Sequence, residues 1–176
     1  MIVLVGFMGA GKTTVGGLLA ARLGLPLADS DQVIEERAGR PVRQIFAEDG
    51  EPGFRALEHQ VIAELLEGPD LVIAVGGGAP EHPRTRDRLL AETRAHIVYL
   101  EVGYEQAMRR VGGDGGRPML ARRDVAAVYQ RRLTVYAQVA TLTVPTDDRA
   151  PEAISEDIVA RMVRVPAAER PGYPPR

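Results

Sequence analysis

The sequence predicts an α/β domain with three layers (α/β/α), in which a central five-stranded parallel sheet lies between two layers of helices. Two observations carry this prediction. Apolar runs of strand length recur along the chain, and each run is followed by a segment with helical patterning. Strands that alternate with helices form parallel sheets, because the crossover helices pack on both faces. The chain has 176 residues, of which 45% are hydrophobic, so it can bury one domain well but not two.

Five segments are predicted as strands. Residues 1–5 and residues 71–75 are continuous apolar runs, as expected for parallel strands that are buried on both faces. The other three strands are shorter or less apolar, and they cover residues 26–29, 96–100 and 142–144. Ligands of open parallel sheets bind beyond the carboxyl ends of the strands. We therefore expect the chemistry after the strands that end at residues 5, 29, 75 and 100.

Helical segments fill the intervals between the strands, and several of them end at glycine or proline, which terminate helices. The predicted helices cover residues 15–23, 32–38, 41–48, 54–67, 84–92, 104–111, 125–139 and 151–163. Four glycines in residues 112–116 cannot form a packed element. Residues 1–165 are therefore predicted to form one domain, and residues 166–176, which are rich in proline, are expected to be a disordered tail.

Composition argues against several classes of partner. The net charge is −2 and the pI is about 6.0, which does not suit a protein that binds nucleic acid. No apolar run approaches the roughly 20 residues that span a bilayer, and no basic segment precedes the first strand, so we expect neither a membrane span nor a signal peptide. The chain has no cysteine, which excludes disulfides and Cys-ligated zinc. A reducing, cytoplasmic location fits these features best.

Residues 6–13 fit the pattern G-x-x-x-x-G-K-[ST] at every fixed position, with a buried strand before them and a helix after them. The backbone N–H groups of such a loop cradle phosphate oxygens. Lys12 would bridge the β- and γ-phosphates of ATP, and the Thr13 hydroxyl would bind Mg²⁺. A glycine-rich turn without a ligand is the alternative. The candidate ATP-binding residues of this loop are Gly9, Ala10, Gly11, Lys12, Thr13 and Thr14.

Lys12 is the only lysine among 22 basic residues. A coding bias towards arginine explains most of this composition. The one lysine nevertheless stands where a compact ammonium is needed between two phosphates, a place that the planar guanidinium fork does not suit. The N-K-x-D motif by which GTP-specific proteins read their base cannot occur here, since it would need a second lysine.

Further polar landmarks follow the phosphate loop. Asp29 and Asp31 come directly after the second strand, and residues two apart in extended chain face the same side. Three consecutive glycines end the third strand, and Arg132 and Tyr136 lie one helical turn apart further on. The remaining landmarks are Gly50-Glu51, Phe54-Arg55, Glu58 and Gly116-Arg117-Pro118-Met119-Leu120.

In this order, the motifs closely resemble those of the shikimate kinase family, over residues 2 to about 163. The resemblance implies a P-loop fold like that of nucleoside monophosphate kinases, with a substrate-binding region at about residues 31–60 and a mobile lid at about residues 112–124. It also implies conversion of Mg²⁺-bound ATP and shikimate into ADP and shikimate 3-phosphate, in the synthesis of chorismate and aromatic amino acids. A monomer is expected, with no nucleic-acid or membrane partner.

The resemblance also implies roles for the acidic pair. Asp29 would lie near Mg²⁺ together with Thr13, and Asp31 would hold the substrate hydroxyls and accept the proton of the attacking one. Asp29 could alternatively form a capping box with Gln32, three residues on. Both roles are compatible with each other.

The acceptor's carboxylate is assigned to two arginines by the same resemblance. Arg55, held by Glu58, would bind it as a bidentate fork; the alternative is an ordinary ion pair on a helix surface. Arg132 would be the second anchor. Its neighbour Arg131 competes for that assignment, and Thr134 stands where the family pattern has proline. The glycine loop, formed by Gly76, Gly77 and Gly78, would approach the ring hydroxyls.

Three more arginines are assigned to the ATP side. Arg117 resembles the lid arginine that folds over the phosphates, and the glycines around it would supply the hinge. Arg110 and Arg149 match positions near the adenine. Lys12, Asp31 and Arg117 are thus the catalytic candidates.

Two other functions stay open at this point. The chain could be another kinase on the same fold, with gluconate or a nucleoside monophosphate as acceptor. It could also be a nucleotide-binding switch without catalysis. The acidic pair and the paired arginines favour a small hydroxy acid as the acceptor. A switch is disfavoured because it does not need Asp31, Arg55 and Arg132 together.

Overall fold

A computed structural model describes residues 1–112 and 124–164 of the chain. Within these residues, five parallel strands form one sheet, in the order β2-β3-β1-β4-β5. Along the chain the strands are β1 Ile2–Val5, β2 Leu27–Asp29, β3 Val72–Ala74, β4 His96–Glu101 and β5 Leu142–Pro145. The predicted α/β class and the five parallel strands are confirmed, and each strand lies within one or two residues of its predicted bounds.

Seven α-helices lie in the described residues: α1 Lys12–Leu23, α2 Ser30–Ala38, α3 Val42–Glu67, α4 Pro83–Ala91, α5 Tyr104–Val111, α6 Val125–Val139 and α7 Pro151–Arg164. A short 3₁₀ turn, Ala79–Glu81, was not expected from the sequence. Its two outer residues donate backbone hydrogen bonds to Gly76 and Gly78, which fixes the turn directly to the glycine loop.

Helix α3 consists of two helical segments that meet at a kink, in agreement with the two helices predicted at residues 41–48 and 54–67. The kink is at Gly50, where φ is 70° and ψ is 178°. This backbone conformation is strained for residues with a side chain, and glycine adopts it readily. Pro52 follows, where its missing N–H is tolerated at the start of the second segment. The kink turns the second segment so that Arg55 and Glu58 face the sheet edge.

The register of the sheet determines which loops meet. Strand β1 lies between β3 and β4, with Ile2 opposite both Val72 and His96. Strand β2 pairs with β3 so that Asp29 is opposite Ala74. The carboxyl ends of β1, β2 and β3 therefore lie side by side, and the residues that follow them share one edge of the sheet.

The core has two parts. The larger one surrounds β1, whose four residues are all buried, and α1 packs on the sheet through Val15 and Leu19. A smaller cluster lies between α2 and α3 and contains Ile34, Ile45, Phe54 and Val61. This second cluster is separate from the first, and it supports the two helices that carry the acidic and basic residues beside the sheet edge. No helix among the described residues is long and apolar enough to cross a membrane.

Two adjacent glycines in α1 give a test of the helix packing. A Cβ atom on Gly16 would lie 2.9 Å from Leu27 Cδ1 and 3.3 Å from Leu4 Cδ1, whereas a Cβ on Gly17 would meet nothing within 4 Å. We expect Gly16→Val to lower the free energy of unfolding by about 1–3 kcal/mol, because the larger side chain overpacks the core. Gly17→Val should change it by less than about 0.5 kcal/mol. Urea unfolding of both variants measures this, and equal midpoints would contradict the packing described here.

Candidate active site

A cleft of about 820 Å³ opens at the shared edge of the sheet. It combines the phosphate loop after β1, the start of α2, the kinked part of α3, the glycine loop after β3 and one side chain of α6. The side chains and loop residues that line it are Met8, Gly9, Gly11, Lys12, Thr13, Thr14, Asp29, Asp31, Gln32, Glu35, Val42, Phe46, Glu51, Phe54, Arg55, Glu58, Val75, Gly76, Gly77, Gly78, Arg110 and Arg132.

The phosphate loop is held in a conformation that only small residues allow. Gly9 has a φ of 78°, and a Cβ on it would lie 2.8 Å from the carbonyl oxygen of Ala107. Gly11 forms the N-terminal cap of α1, so the free N–H groups of that helix point towards the loop. Lys12 Nζ donates to the carbonyl oxygens of Gly6 at 2.8 Å and Phe7 at 3.2 Å. Together they form an electropositive cradle suited to phosphate oxygens.

Thr13 and Asp29 meet beside this cradle. Thr13 Oγ1 donates to Asp29 Oδ2 at 2.9 Å, and the other oxygen of Asp29 accepts the backbone N–H of Asp31 at 3.1 Å. Asp29 therefore caps α2 and also presents a carboxylate next to the phosphate loop. The cap uses the second residue of the helix, whereas the capping box considered above would use Gln32.

This pair of side chains suits Mg²⁺, because a hydroxyl and a carboxylate supply the hard oxygen ligands that the ion prefers. Over residues 1–112 and 124–164 there is no cluster of three or more His, Cys, Asp or Glu side chains that could hold a metal on its own. Mg²⁺ in kinases is held by one or two protein oxygens and by the substrate phosphates. The arrangement of Thr13 and Asp29 fits that pattern.

Arg55 also lines the cleft and is held in place by its neighbours. Its Nη1 donates to Glu58 Oε2 at 2.5 Å, Glu51 lies 3.5 Å from its Nη2, and its guanidinium group lies 5.2 Å from the centre of the Phe54 ring. The Glu58 side chain is fully buried. The Arg55–Glu58 pair is therefore not an ordinary surface ion pair. Both residues line the cleft, and both were predicted from the sequence to bind the acceptor.

Arg132 reaches the same wall from α6. It is 3% exposed, whereas Arg131 is 58% exposed. Arg132 Nε donates to Glu81 Oε2 at 2.6 Å, and Arg131 Nε donates to the other oxygen of Glu81 at 2.9 Å. Only Arg132 of the two lines the cleft. Glu81 was not singled out in the sequence, although its position three residues after the glycine loop and the double arginine on α6 were both visible.

The glycine loop passes close to both arginines. A Cβ atom on Gly78 would collide with Arg55 Nη2 and lie 2.8 Å from Arg132 Nη2, so the two guanidinium groups converge on this residue. A Cβ on Gly76 would collide with Glu58 Oε1. Close approach to charged side chains, rather than the turn itself, therefore requires glycine at these positions.

Two hydrogen bonds fix the glycine loop. Ser30 Oγ accepts the backbone N–H of Gly76 at 3.0 Å, and the Tyr136 hydroxyl donates to the carbonyl oxygen of Gly77 at 2.6 Å. Sequence reasoning noted the spacing of Tyr136 but missed Ser30, which lies between the two aspartates. Helices α2 and α6 thus hold the loop from either side.

Two carboxylates face this loop with unsatisfied oxygens. Asp31 Oδ1 and Glu58 Oε1 are buried and make no hydrogen bond within the part of the chain that the structure describes. Burial raises the pKa of Glu58 to about 7 and outweighs the opposing effect of Arg55. Burial and the neighbouring Asp29 also raise the pKa of Asp31. Both oxygens are closed to solvent and lie close to Gly76, and this loss of hydration is the burial that raises the two pKa values.

The arginines assigned to ATP differ in their position relative to the cleft. Arg110 lines the cleft and donates to the carbonyl oxygens of Gly9 at 3.1 Å and Thr146 at 2.8 Å. Arg149 lies outside the cleft lining and pairs with Asp157 at 3.1 Å. Its role near the adenine stays a prediction. Arg117 and most of the predicted lid, residues 112–124, lie outside the described residues, as does the predicted tail, residues 166–176.

Comparison with known proteins agrees with this geometry. The family model described as shikimate kinase matches residues 8–163. A shikimate kinase of Thermobifida fusca is 47% identical over 166 residues, which are 92% of this chain and 94% of that protein.

Solved structures show the same relationship. The shikimate kinase of Acinetobacter baumannii in complex with shikimate has a TM-score of 0.85 and 36% identity, and the match covers 93% of this chain and 92% of that one. A gluconokinase of Sinorhizobium meliloti has a TM-score of 0.58 at 20% identity, with 93% and 91% covered, which shows a common fold only. On the family match and the 47% identity, this chain belongs to the shikimate kinase family.

Proposed function

We propose that this chain transfers the γ-phosphate of ATP to a hydroxyl of shikimate, which gives ADP and shikimate 3-phosphate. The observation that carries the proposal is the convergence of two guanidinium groups on the glycine loop, in the cleft that the phosphate loop also lines. Shikimate is a small ring that bears one carboxylate and several hydroxyls. The cleft offers guanidinium groups for the carboxylate, and the carboxyl groups of Asp31 and Glu58 also line it and suit the hydroxyls.

ATP binding is assigned to the phosphate loop, residues 9–14. Its N–H groups and the N-terminus of α1 would hold the β- and γ-phosphates, and Lys12 would offset their charge. Lys12 Nζ donates hydrogen bonds to the carbonyl oxygens of Gly6 and Phe7 in the same loop. These contacts hold the ammonium group beside the proposed phosphate site. Arg110 lies at the far end of the loop, against Gly9, where the nucleoside would extend.

Thr13 and Asp29 would hold Mg²⁺. When bound, the ion would offset charge on the β- and γ-phosphate oxygens during transfer. Asp29 is well suited to this task because its hydrogen bonds to Thr13 and to the backbone of Asp31 fix the carboxylate beside the loop.

The acceptor's carboxylate is assigned to Arg55 and Arg132. Each guanidinium group is already held by a carboxylate of this chain, Arg55 by Glu58 and Arg132 by Glu81. Little side-chain freedom is therefore lost when the substrate binds, which favours a precise orientation of the ring. The cleft lining drawn from α2 and α3 falls within residues 31–60, which supports the proposal that this region binds the acceptor.

Asp31 is assigned to the attacking hydroxyl. The hydroxyl oxygen forms a bond to the γ-phosphorus while the bond from that phosphorus to the bridging oxygen of ADP breaks, and the hydroxyl proton passes to the Asp31 carboxylate. Asp31 lines the cleft beside the phosphate loop, which supports this assignment. Its raised pKa, caused by burial and Asp29, makes it a better base than an exposed aspartate.

The monomeric state and the cytoplasmic location stay predictions.

A coupled assay that offers shikimate, gluconate and AMP separately tests the proposed function. We expect release of ADP with shikimate and none above background with the other two. Asp31→Asn, which keeps the shape of the side chain, should lower kcat by about 10²-fold or more, because the proton acceptor is lost.

Three outcomes of these measurements would contradict the proposal. Turnover with gluconate or AMP, and none with shikimate, would replace the acceptor. Binding of ATP without turnover of any of the three would favour a nucleotide-binding switch. Full activity of Asp31→Asn would remove that residue from the proton transfer.

Glu58 gives a prediction about pH. Its pKa is 4.5 when unperturbed and about 7 in the folded protein, so between these values the folded chain holds a proton that the unfolded chain has lost. Stability should therefore fall as pH rises through this window. The unfolding free energy of Glu58→Gln minus that of the wild type should therefore rise by about 3 kcal/mol as pH goes from 4.5 to 7.

Glu92→Gln is the matched control for this measurement. Glu92 is also buried and pairs with Arg88 at 2.9 Å, but the net effect of its surroundings lowers its pKa. Its stability difference from the wild type should therefore fall by less than about 0.5 kcal/mol just above pH 4.5 and stay flat from about pH 5.5 to 7. Urea unfolding at several pH values measures both variants. A flat difference for Glu58→Gln would show that Arg55 keeps this carboxylate charged throughout.

A further inference from the structure

The Glu81 carboxylate bridges two adjacent arginines at the edge of the cleft. One oxygen accepts from Arg132 Nε at 2.6 Å, and the other accepts from Arg131 Nε at 2.9 Å. Glu81 ends the 3₁₀ turn Ala79–Glu81, and its backbone N–H donates to the carbonyl oxygen of Gly78 at 3.0 Å. The carboxylate therefore ties α6 to the glycine loop.

This contact helps to orient Arg132, which also hydrogen-bonds Tyr136 and lies 5.9 Å from the centre of the Phe7 ring. Glu81 engages the Nε edge of the guanidinium group, while Nη2 lies beside Gly78, where a Cβ atom would be only 2.8 Å away. Arg55 is held in a similar way, with Glu58 on its Nη1 and its own Nη2 directed at the same glycine. The two guanidinium groups thus meet at one point because a separate carboxylate holds each of them.

Arg131 is drawn the other way by the same side chain. It lies on the rim, while Arg132 is almost fully buried. Burial raises the pKa of Glu81, but Arg132 and Arg131 outweigh burial and bring its pKa below the ordinary value. Glu81 is therefore charged at neutral pH and can satisfy both arginines at once.

We propose that Glu81 is a positioning residue for the acceptor's carboxylate: it fixes Arg132 with its Nη edge towards the glycine loop and keeps Arg131 out of the cleft. The inference rests on the proposed function, since it needs an acceptor with a carboxylate. It assigns to Glu81 a role that acts through Arg132, with no contact between Glu81 and the substrate.

Removal of Glu81 should change the binding of a substrate carboxylate in opposite directions, depending on whether Glu81 acts through its charge or by positioning Arg132. The inference can therefore be tested. If Glu81 acted only through its negative charge, its removal would strengthen binding of a substrate carboxylate, because a repulsive charge would be lost. If Glu81 positions Arg132, its removal should weaken binding, because Arg132 must then be ordered when the substrate binds.

Steady-state kinetics of Glu81→Ala and Glu81→Gln distinguish the two signs. We expect Glu81→Ala to raise KM for shikimate about tenfold, as for the loss of a hydrogen bond to a charged group. Glu81→Gln should give an intermediate rise, since one amide oxygen cannot serve two guanidinium groups. In both variants, KM for ATP should stay within about twofold of the wild type. A lower KM for shikimate would overturn the inference.

A double-mutant cycle with Arg132→Lys adds a readout that a merely structural role would not produce. In the Arg132→Lys background, Glu81→Ala should cost much less than tenfold in KM for shikimate, because the guanidinium group that Glu81 orients is already absent. Equal costs in both backgrounds would overturn the inference.

Glu92→Ala is the matched control, because Glu92 also lies between two arginines, Arg88 and Arg94, but does not line the cleft. It should leave both KM values unchanged. If Glu81→Ala raised KM for ATP as much as KM for shikimate, or lowered Tm more than Glu92→Ala does, its role would be structural and the inference would fail.

A wild-type chain that does not turn over shikimate would overturn the proposed function together with this inference. Wild-type turnover of shikimate with unchanged kinetics of Glu81→Ala would overturn the inference alone.

Discussion

The parallel register of β1, β2 and β3 is the constraint on which the rest of the structure depends. Because Ile2 lies opposite Val72 and Asp29 lies opposite Ala74, the three strands end at one edge of the sheet. The phosphate loop, the acidic pair and the glycine loop follow these ends directly, so they meet without any long connection. A shift of β3 by one residue would turn its side chains to the opposite faces and displace the glycine loop from Arg55.

Buried charge is the second feature that shapes the cleft. Removing one partner of a buried ion pair leaves the other charge uncompensated, and Arg55 and Arg132 each pair with a carboxylate. Glu58 serves Arg55 and Glu81 serves Arg132, while Asp31 and Glu58 each keep one oxygen without a partner in the described residues. The cleft thus holds cations in fixed positions together with buried carboxyl groups. A ring with a carboxylate at one end and hydroxyls at the other complements both.

Much of this arrangement was predictable from the sequence, and particular residues show where prediction stopped. The strands and the phosphate loop follow from apolar runs and fixed glycine spacing, which are local signals. The break between the two segments of α3 was also predicted, but the sequence does not show that the second segment begins directly after Gly50, at Glu51 and Pro52. Arg132 was preferred to Arg131 because it keeps the spacing to Tyr136, and Arg132 is the one of the two that lines the cleft. Glu81 was missed because its two partners lie 50 and 51 residues away in the chain, a distance that spacing rules do not cover.

The central claim is that Arg55 and Arg132 hold the acceptor's carboxylate while the phosphate loop holds the triphosphate opposite. A crystal structure of the chain with shikimate, Mg²⁺ and a non-hydrolysable ATP analogue tests it most directly. The account predicts shikimate carboxylate oxygens about 3 Å from guanidinium nitrogens of both arginines, with a ring hydroxyl against Asp31. A carboxylate bound away from Arg55 and Arg132, or a triphosphate outside residues 9–14, would contradict it.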